Sequence, residues 1–217
     1  MTYSLIACCP NTGAFGAVVT SSSVATAARC IRTDALGAVA TQNFSDPSLG
    51  PLGTRLLRDG LGAGAVLRLL LDSTTAPEHR QVTVVDRRGA VAWHIGEASM
   101  PVAGVATGPG CIAMGNLLAN DTVPAAMVAA YADATGMVLA ERLMRALEAG
   151  LDAGGEFDDE HGAGLLVSDT HDWPVVDLRV DWDDAPIAAL RALWTRYAPQ
   201  QAAYVARFLD PRQAPAF

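Results

Sequence analysis

The chain has 217 residues, of which 51% are apolar and 18% are charged, a composition typical of one globular domain rather than of a disordered segment. Its formal net charge of −8 argues against nucleic-acid binding through phosphate contacts, and no apolar run approaches the roughly 20 residues that a membrane-spanning helix needs. All fifteen basic residues are arginine, which excludes lysine Schiff-base chemistry and a P-loop lysine. We therefore expect a soluble, cytoplasmic protein that binds neither nucleic acid nor membrane.

The first third of the chain is predicted to contain three strands followed by two helices. Residues 2–9 and 15–21 are apolar runs on either side of the sequence PNTG, a pattern typical of a β-hairpin. Residues 35–42 are small and apolar, which indicates a third strand that is buried on both faces. A loop rich in Pro, Gly and Ser then leads into a helix with leucines on one face, and residues 63–71 form a second short helix.

The rest of the chain is predicted to continue with hairpins and helix pairs. Residues 81–85 and 90–95 form the clearest hairpin, with DRRG as its turn, and residues 108–121 are interpreted as an irregular stretch leading into a helix. Two helices, an acidic glycine-rich surface loop, two strands and a C-terminal helix with a break at Pro199 follow. This grouping favours an α+β architecture in one domain over residues 1–217, with a helical C-terminal extension from about residue 186.

Thr2 directly follows the start methionine and is the first candidate for a catalytic residue. A hydroxyl is a weak nucleophile unless a base takes its proton, and a free α-amine on the same residue, with a pKa of about 8, can be that base. Threonine is small enough for Met1 to be removed before it. Because many chains begin with Met-Thr, the position alone is equally consistent with an ordinary strand start.

Further polar side chains are predicted to surround the start of the chain. The second strand of the hairpin brings Ser21 and Ser22 back to it, where they bind substrate or form a polar turn. Gln42 and Asn43 end the third strand, so that Gln42 is a candidate oxyanion donor and Asn43 a candidate substrate ligand, or both cap the strand. Asn116 lies among glycines and apolar residues and is either a catalytic oxyanion or substrate donor or a helix cap.

Arg80 and His94 are the remaining candidates for substrate binding. Arg80 precedes a strand and suits a substrate carboxylate, because a guanidinium forks onto carboxylates, although a loop-holding role is as plausible. His94 ends the neighbouring strand. It either binds substrate or is a structural histidine at the strand end whose hydrogen bonds are satisfied within the chain. His161 follows three acidic residues, but its spacing matches no standard zinc motif. The sequence therefore predicts neither a metal site nor a cofactor.

Several ordered blocks of the sequence together resemble one family. They are MTYSLIA followed by PNTG, then GAVATQ, GPLGTRLLRDGL, HRQVTVVDRRG, GNLLAN, LAERLMRALEAGLDAGGE and VDLRVDW-DDAPIAALRAL. In these blocks the chain resembles the DUF1028 family of uncharacterised bacterial and archaeal proteins, which is assigned to the N-terminal nucleophile (Ntn) hydrolase superfamily. The resemblance runs from Thr2 to about Trp194.

The resemblance implies a fold and a reaction. The fold is the Ntn four-layer αββα sandwich, in which two antiparallel sheets lie between layers of helices. The reaction is the hydrolysis of a small amide, ureido or related C–N bond, with Thr2 as the mature N-terminal nucleophile and its own amine as the base.

Two other functions remain open at this point. Many family members carry an Arg-Asp pair where this chain has Cys8 and Cys9, which favours a non-catalytic small-molecule-binding or assembly protein on the same fold. A hydrolase or deaminase that uses Cys9, His94 or His161 is the third hypothesis. Apolar residues along the C-terminal helix form either core or a subunit contact, and by analogy with Ntn folds we expect a homodimer or larger homo-oligomer.

Overall fold

Ten strands form two antiparallel sheets in the computed structural model of the chain, which describes residues 1–171 and 173–212. In chain order the strands are β1 (Thr2–Cys8), β2 (Phe15–Ser21), β3 (Ile31–Asp34), β4 (Gly37–Asn43), β5 (Arg80–Asp86), β6 (Val91–Ile95), β7 (Gly104–Gly108), β8 (Cys111–Asn116), β9 (Gly162–Ser168) and β10 (Val176–Val180). The larger sheet has the strand order β10-β9-β2-β1-β8-β7, and the smaller one has the order β3-β4-β5-β6. The predicted α+β class with antiparallel hairpins is therefore confirmed.

Seven helices lie in the part of the chain that the structure describes. They are α1 (Thr26–Cys30), α2 (Leu49–Arg58), α3 (Ala63–Ser73), α4 (Val123–Asp133), α5 (Leu139–Asp152), α6 (Pro186–Tyr197) and α7 (Gln201–Leu209), with short 3₁₀ turns at Pro77–His79 and Ala198–Gln200. Six of these helices follow the strands in pairs, and α1 stands alone between β2 and β3. Within the described ranges, no helix combines the length and the hydropathy that crossing a bilayer requires.

The two-residue period of the strands decides which side chains lie between the two sheets. Ile6 of β1 and Ala17 of β2 pack in one buried cluster with Ala40 of β4 and Val85 of β5, so that this cluster joins both sheets. Thr2 shares the face of Ile6 because the two residues are an even number of positions apart on the same strand. The start of β1 therefore directs its hydroxyl toward the smaller sheet.

Helices pack against the opposite face of each sheet in separate hydrophobic clusters. On the larger sheet, Leu5 of β1 belongs to a buried cluster with Leu143 of α5 and Trp194 of α6. On the smaller sheet, Val84 of β5 belongs to a cluster with Leu57 of α2. The predicted C-terminal extension thus contributes buried side chains to the main hydrophobic cluster through α6.

The aromatic residues near the C-terminus differ in burial. Trp194 is buried, and the Tyr197 hydroxyl donates a 2.8 Å hydrogen bond to the Val175 carbonyl. Tyr204 and Phe208 on α7 are exposed, and α7 has no buried residue. Core packing therefore accounts for Trp194 and Tyr197, and self-association through Tyr204 and Phe208 stays a prediction.

Four elements differ from the sequence-based expectation, and one of them is strand β7, which was not predicted. The stretch 108–121 was predicted as irregular, but it contains β8, which pairs with β1 inside the larger sheet. All six residues of β8 are buried, so the apolar-polar alternation that identifies a half-exposed strand is missing. Helix α1 and strand β3 were not predicted, because elements of five and four residues are too short to carry a recognisable period.

Candidate functional site

Thr2 and Ser21 meet at one end of the larger sheet. The antiparallel register pairs Tyr3 with Thr20, which places Ser21 beside Thr2 on the same sheet face. Thr2 Oγ1 lies 3.2 Å from Ser21 Oγ, and both hydroxyls donate toward the Met1 carbonyl oxygen. Both residues are almost fully buried. The predicted return of a hydroxyl from the second strand to the chain start is therefore seen for Ser21.

A cavity of about 330 Å³ opens beside these two hydroxyls. Met1, Thr2 and Ser21 line it from the larger sheet, and Asn43 and Arg80 line it from the smaller sheet. Four of the predicted site residues therefore share one cavity at the end of the space between the sheets. A cavity of this size suits a small molecule.

Arg80 and Asn43 are held by backbone carbonyls at this cavity. The Arg80 guanidinium donates to the Thr75 carbonyl through Nε at 3.2 Å and Nη2 at 3.1 Å, and Nη1 donates to the Phe44 carbonyl. Asn43 has a positive φ of 67°, and its Nδ2 donates to the His79 carbonyl. The contacts of Arg80 thus match the second interpretation, in which its guanidinium holds the neighbouring loops in place. Because Arg80 also lines the cavity, it places a positive charge beside the site.

Gln42 and Asn116 lie close by but form a polar network that joins the two sheets. Ser4 Oγ donates to Gln42 Oε1 at 2.7 Å, and Gln42 Nε2 donates to Gln81 Oε1 at 3.1 Å. Asn116 Nδ2 donates to the same Gln81 oxygen at 2.8 Å, while Gln81 Nε2 donates to the Gly115 carbonyl at 2.9 Å. Neither predicted oxyanion donor lines the cavity, because its amide bonds to Gln81 instead.

Ser22 and His94 stand outside the cavity wall. The Ser22 backbone N–H donates to Glu156 Oε2 at 3.0 Å, and the Ser22 side chain also acts on the Glu156 carboxyl group, so Ser22 serves Glu156 rather than the cavity. His94 Nε2 lies 2.9 Å from the Pro77 carbonyl oxygen, the satisfied strand-end arrangement that was one of its two interpretations. The structure therefore groups Thr2, Ser21, Asn43 and Arg80 and leaves these two residues apart.

Glu156 is the functional candidate that sequence reasoning missed. It belongs to the acidic glycine-rich stretch predicted as a surface loop, yet only 6% of it is exposed. This is a correction, and its cause is a turn through Gly154 and Gly155, both with positive φ, which returns the chain so that Glu156 bridges Leu118. The glycine pair directly before a carboxylate was the available signal.

The electrostatic environment of Glu156 is unusual for a carboxyl group. Burial raises the pKa of Glu156 to about 8, and the charge of Glu160 acts in the same direction. The Met1 ammonium and the hydrogen bond from the Ser22 backbone lower the pKa, but less than burial raises it. Oε1 of Glu156 is buried without a hydrogen-bond partner. A carboxyl group in this state is suited to bind a donor that the chain itself does not supply.

A second cavity lies at the other end of β1 and belongs to the cysteine-based hypothesis. It measures about 380 Å³ and is lined in part by Cys8, Cys9, Arg87 and Arg88. Burial acts to raise the pKa of Cys9, but hydrogen bonds with Thr12 and smaller contributions hold it below its ordinary value. All four cysteines are free and buried. Within residues 1–171 and 173–212, no cluster of His, Cys, Asp or Glu is arranged to hold a metal ion.

Comparison with known proteins gives a family. The model of a family of unknown function, DUF1028, matches residues 2–190, whereas no curated protein matches the chain. The crystal structure of protein SPO2555 from Silicibacter pomeroyi, described as DUF1028, superposes with a TM-score of 0.85 at 28% sequence identity. The superposition covers 94% of this chain and 89% of that one. With a family model that covers most of its length, the chain belongs to DUF1028.

Proposed function

We propose that the chain is an Ntn-type amidohydrolase in which Thr2 becomes the nucleophile once Met1 is removed. The observation that carries this proposal is the convergence of the Thr2 and Ser21 hydroxyls on the Met1 carbonyl beside a small-molecule cavity. Hydrophobic clusters between the sheets and under the helices support the αββα sandwich of that superfamily.

The proposed reaction uses groups that Thr2 carries itself. After Met1 leaves, the free Thr2 amine takes the proton of Oγ1, directly or through a water, and Oγ1 attacks the carbonyl carbon of the substrate. The carbonyl oxygen becomes negatively charged, and Ser21 Oγ donates a hydrogen bond to it, as it now does to the Met1 carbonyl. The C–N bond then breaks, the leaving nitrogen takes the proton from the Thr2 amine, and water hydrolyses the ester on Oγ1.

The remaining predicted residues take supporting roles in this proposal. Gln42 and Asn116 act as positioning residues, since their amides tie β4 and β8 to Gln81 behind the nucleophile. Arg80 and Asn43 form the opposite wall of the cavity, where the guanidinium favours a substrate with negative charge. The substrate class is a small amide, ureido or related C–N compound.

A second function, that of a small-molecule-binding protein, depends on the state of the N-terminus. While Met1 remains, the nitrogen of Thr2 is a peptide amide and cannot accept a proton. The same cavity is then present without a base. The two functions differ in the chemical state of the N-terminus, which mass spectrometry reads directly.

The test combines intact mass with covalent labelling. Purified native protein is expected to have the mass of residues 2–217, and a β-lactone is expected to acylate Thr2 Oγ1 by ring opening, with peptide mapping to Thr2. Thr2→Ser is expected to keep the labelling, whereas Thr2→Ala abolishes it. Retention of Met1 in native protein, or equal labelling of the Thr2→Ala protein, would refute the proposal and leave the binding function.

A further inference from the structure

Met1 occupies the space beside Thr2 in which a substrate acyl group has to lie. Its carbonyl carbon is bonded to the Thr2 nitrogen, and its carbonyl oxygen is in contact with Thr2 Oγ1, the atom that would carry the acyl group. In the proposed acyl-enzyme, the acyl carbon is attached to Oγ1 instead of to the nitrogen of the same residue. The rest of Met1 therefore outlines the direction in which an acyl group extends from Thr2.

Glu156 lies next to this space and is joined to it through two neighbouring serines. Ser21 Oγ donates to the Met1 carbonyl, and the adjacent Ser22 N–H donates to Glu156 Oε2 at 3.0 Å. The other carboxyl oxygen of Glu156 is buried and has no hydrogen-bond partner, and only 6% of the residue is exposed to solvent. A buried oxygen without a donor is costly, which indicates that a ligand supplies the donor.

Among the charged groups around Glu156, the α-ammonium of Met1 lowers the pKa of the Glu156 carboxyl group, whereas the negative charge of Glu160 raises it. This ammonium is attached to the carbon next to the carbonyl. When Met1 is removed, the carboxyl group and the unpartnered oxygen stay in place, because β1 and β2 hold Ser21 and the Gly154–Gly155 turn holds Glu156.

We propose that the vacated space binds an acyl group with an amino substituent on the carbon next to the scissile carbonyl, and that Glu156 binds this amino group. The substrate class is then the α-amino acid amides. This inference rests on the proposed function for the identity of the reacting atom, but the binding that it describes does not need the Thr2 hydroxyl.

The test measures binding in a protein that cannot turn over. A Thr2→Ala chain that begins at residue 2, released by cleavage of an N-terminal fusion, is titrated with L-methioninamide and with 4-(methylthio)butanamide, which lacks only the amino group. Calorimetry is expected to show at least about tenfold tighter binding of methioninamide, the ratio typical of a hydrogen bond to a charged group.

A second substitution assigns the preference to Glu156. Adding Glu156→Gln is expected to reduce the preference to within about twofold, since the amide keeps the shape of the side chain but cannot ionise, whereas a bound ammonium group favours the ionised carboxylate. Burial already favours the uncharged form of this group, so the variant is expected to fold, which its Tm verifies. Glu97→Gln, a change at an exposed position, is the matched control and is expected to keep the preference.

The outcomes separate this inference from the proposed function. Equal binding of the two compounds, or a preference that survives Glu156→Gln, overturns the role of Glu156 whatever the β-lactone experiment gives. If Glu156 serves the Thr2 amine instead, Glu156→Gln in the wild-type background lowers the turnover of both compounds by the same factor, which also overturns it. Absence of labelling at Thr2 with the amino preference intact refutes only the hydrolase.

Discussion

The network centred on Gln81 gives a prediction with a definite magnitude. Gln81→Met keeps the side-chain volume and removes the oxygen that accepts hydrogen bonds from Gln42 and Asn116. Two buried amide donors then lose a partner, and each such loss costs about 1–3 kcal/mol. We expect the free energy of unfolding to fall by about 4 kcal/mol, measured as a lower urea midpoint at an unchanged m-value.

A double-mutant cycle makes this prediction specific to the network. Gln42→Met alone leaves the Ser4 hydroxyl without its hydrogen-bond acceptor and is expected to lower the free energy of unfolding by about 1–3 kcal/mol. In the Gln42→Met/Gln81→Met protein the Gln42 donor no longer exists, so its loss is not counted twice. The double variant should be more stable than the sum of the single changes by about 1–3 kcal/mol. Additivity within about 0.5 kcal/mol would contradict the reasoning.

Two further predictions concern stability at the edge of the site. Because the folded protein holds the Glu156 proton more tightly than an unfolded chain with an ordinary carboxyl pKa of 4.5, stability should decrease as pH rises from that value toward about 8. Urea midpoints across this range should show the decrease, at most about 1.4 kcal/mol per pH unit, and Glu156→Gln should remove it; an unchanged slope would contradict the assigned environment. A Cβ at Gly96 would lie 2.1 Å from the Glu78 carbonyl oxygen, so Gly96→Ala should cost about 1–3 kcal/mol. Gly64→Ala, in the first turn of α3 with open space around it, is the control and should leave the stability unchanged or raise it by at most about 0.5–1 kcal/mol. Equal midpoints for these two glycine variants would refute the close approach.

Local patterns were sufficient to predict the meeting of Thr2 and Ser21. A hairpin with a short turn fixes its register, and strand alternation then fixes which side chains share a face. Both depend on residues near each other in the sequence. For the same reason the hairpin of β5 and β6 was predicted within a residue of its observed ends.

The parts of the site that were missed depend on contacts between distant segments. Glu156 lies near the chain start because it forms a β-bridge with Leu118 and accepts a hydrogen bond from the Ser22 N–H. The hydrophobic periodicity of a local segment cannot predict contacts between residues so far apart in the sequence. Asn116 lies opposite Thr2 in the register of β1 and β8, and the Gln42 amide is bonded to the same Gln81 side chain, but the sequence predicted Gln81 only as part of a strand. Its role follows from the packing of one sheet on the other.

The position of Met1 has a practical consequence for anyone who prepares this protein. In the proposed mechanism the newly synthesised chain carries its own occluding group, and activity appears only as fast as an aminopeptidase removes it. An N-terminal affinity tag would keep the Thr2 nitrogen in a peptide bond and fill the acyl space permanently. Screening for substrates therefore requires a C-terminal tag, or an N-terminal one whose cleavage leaves threonine first.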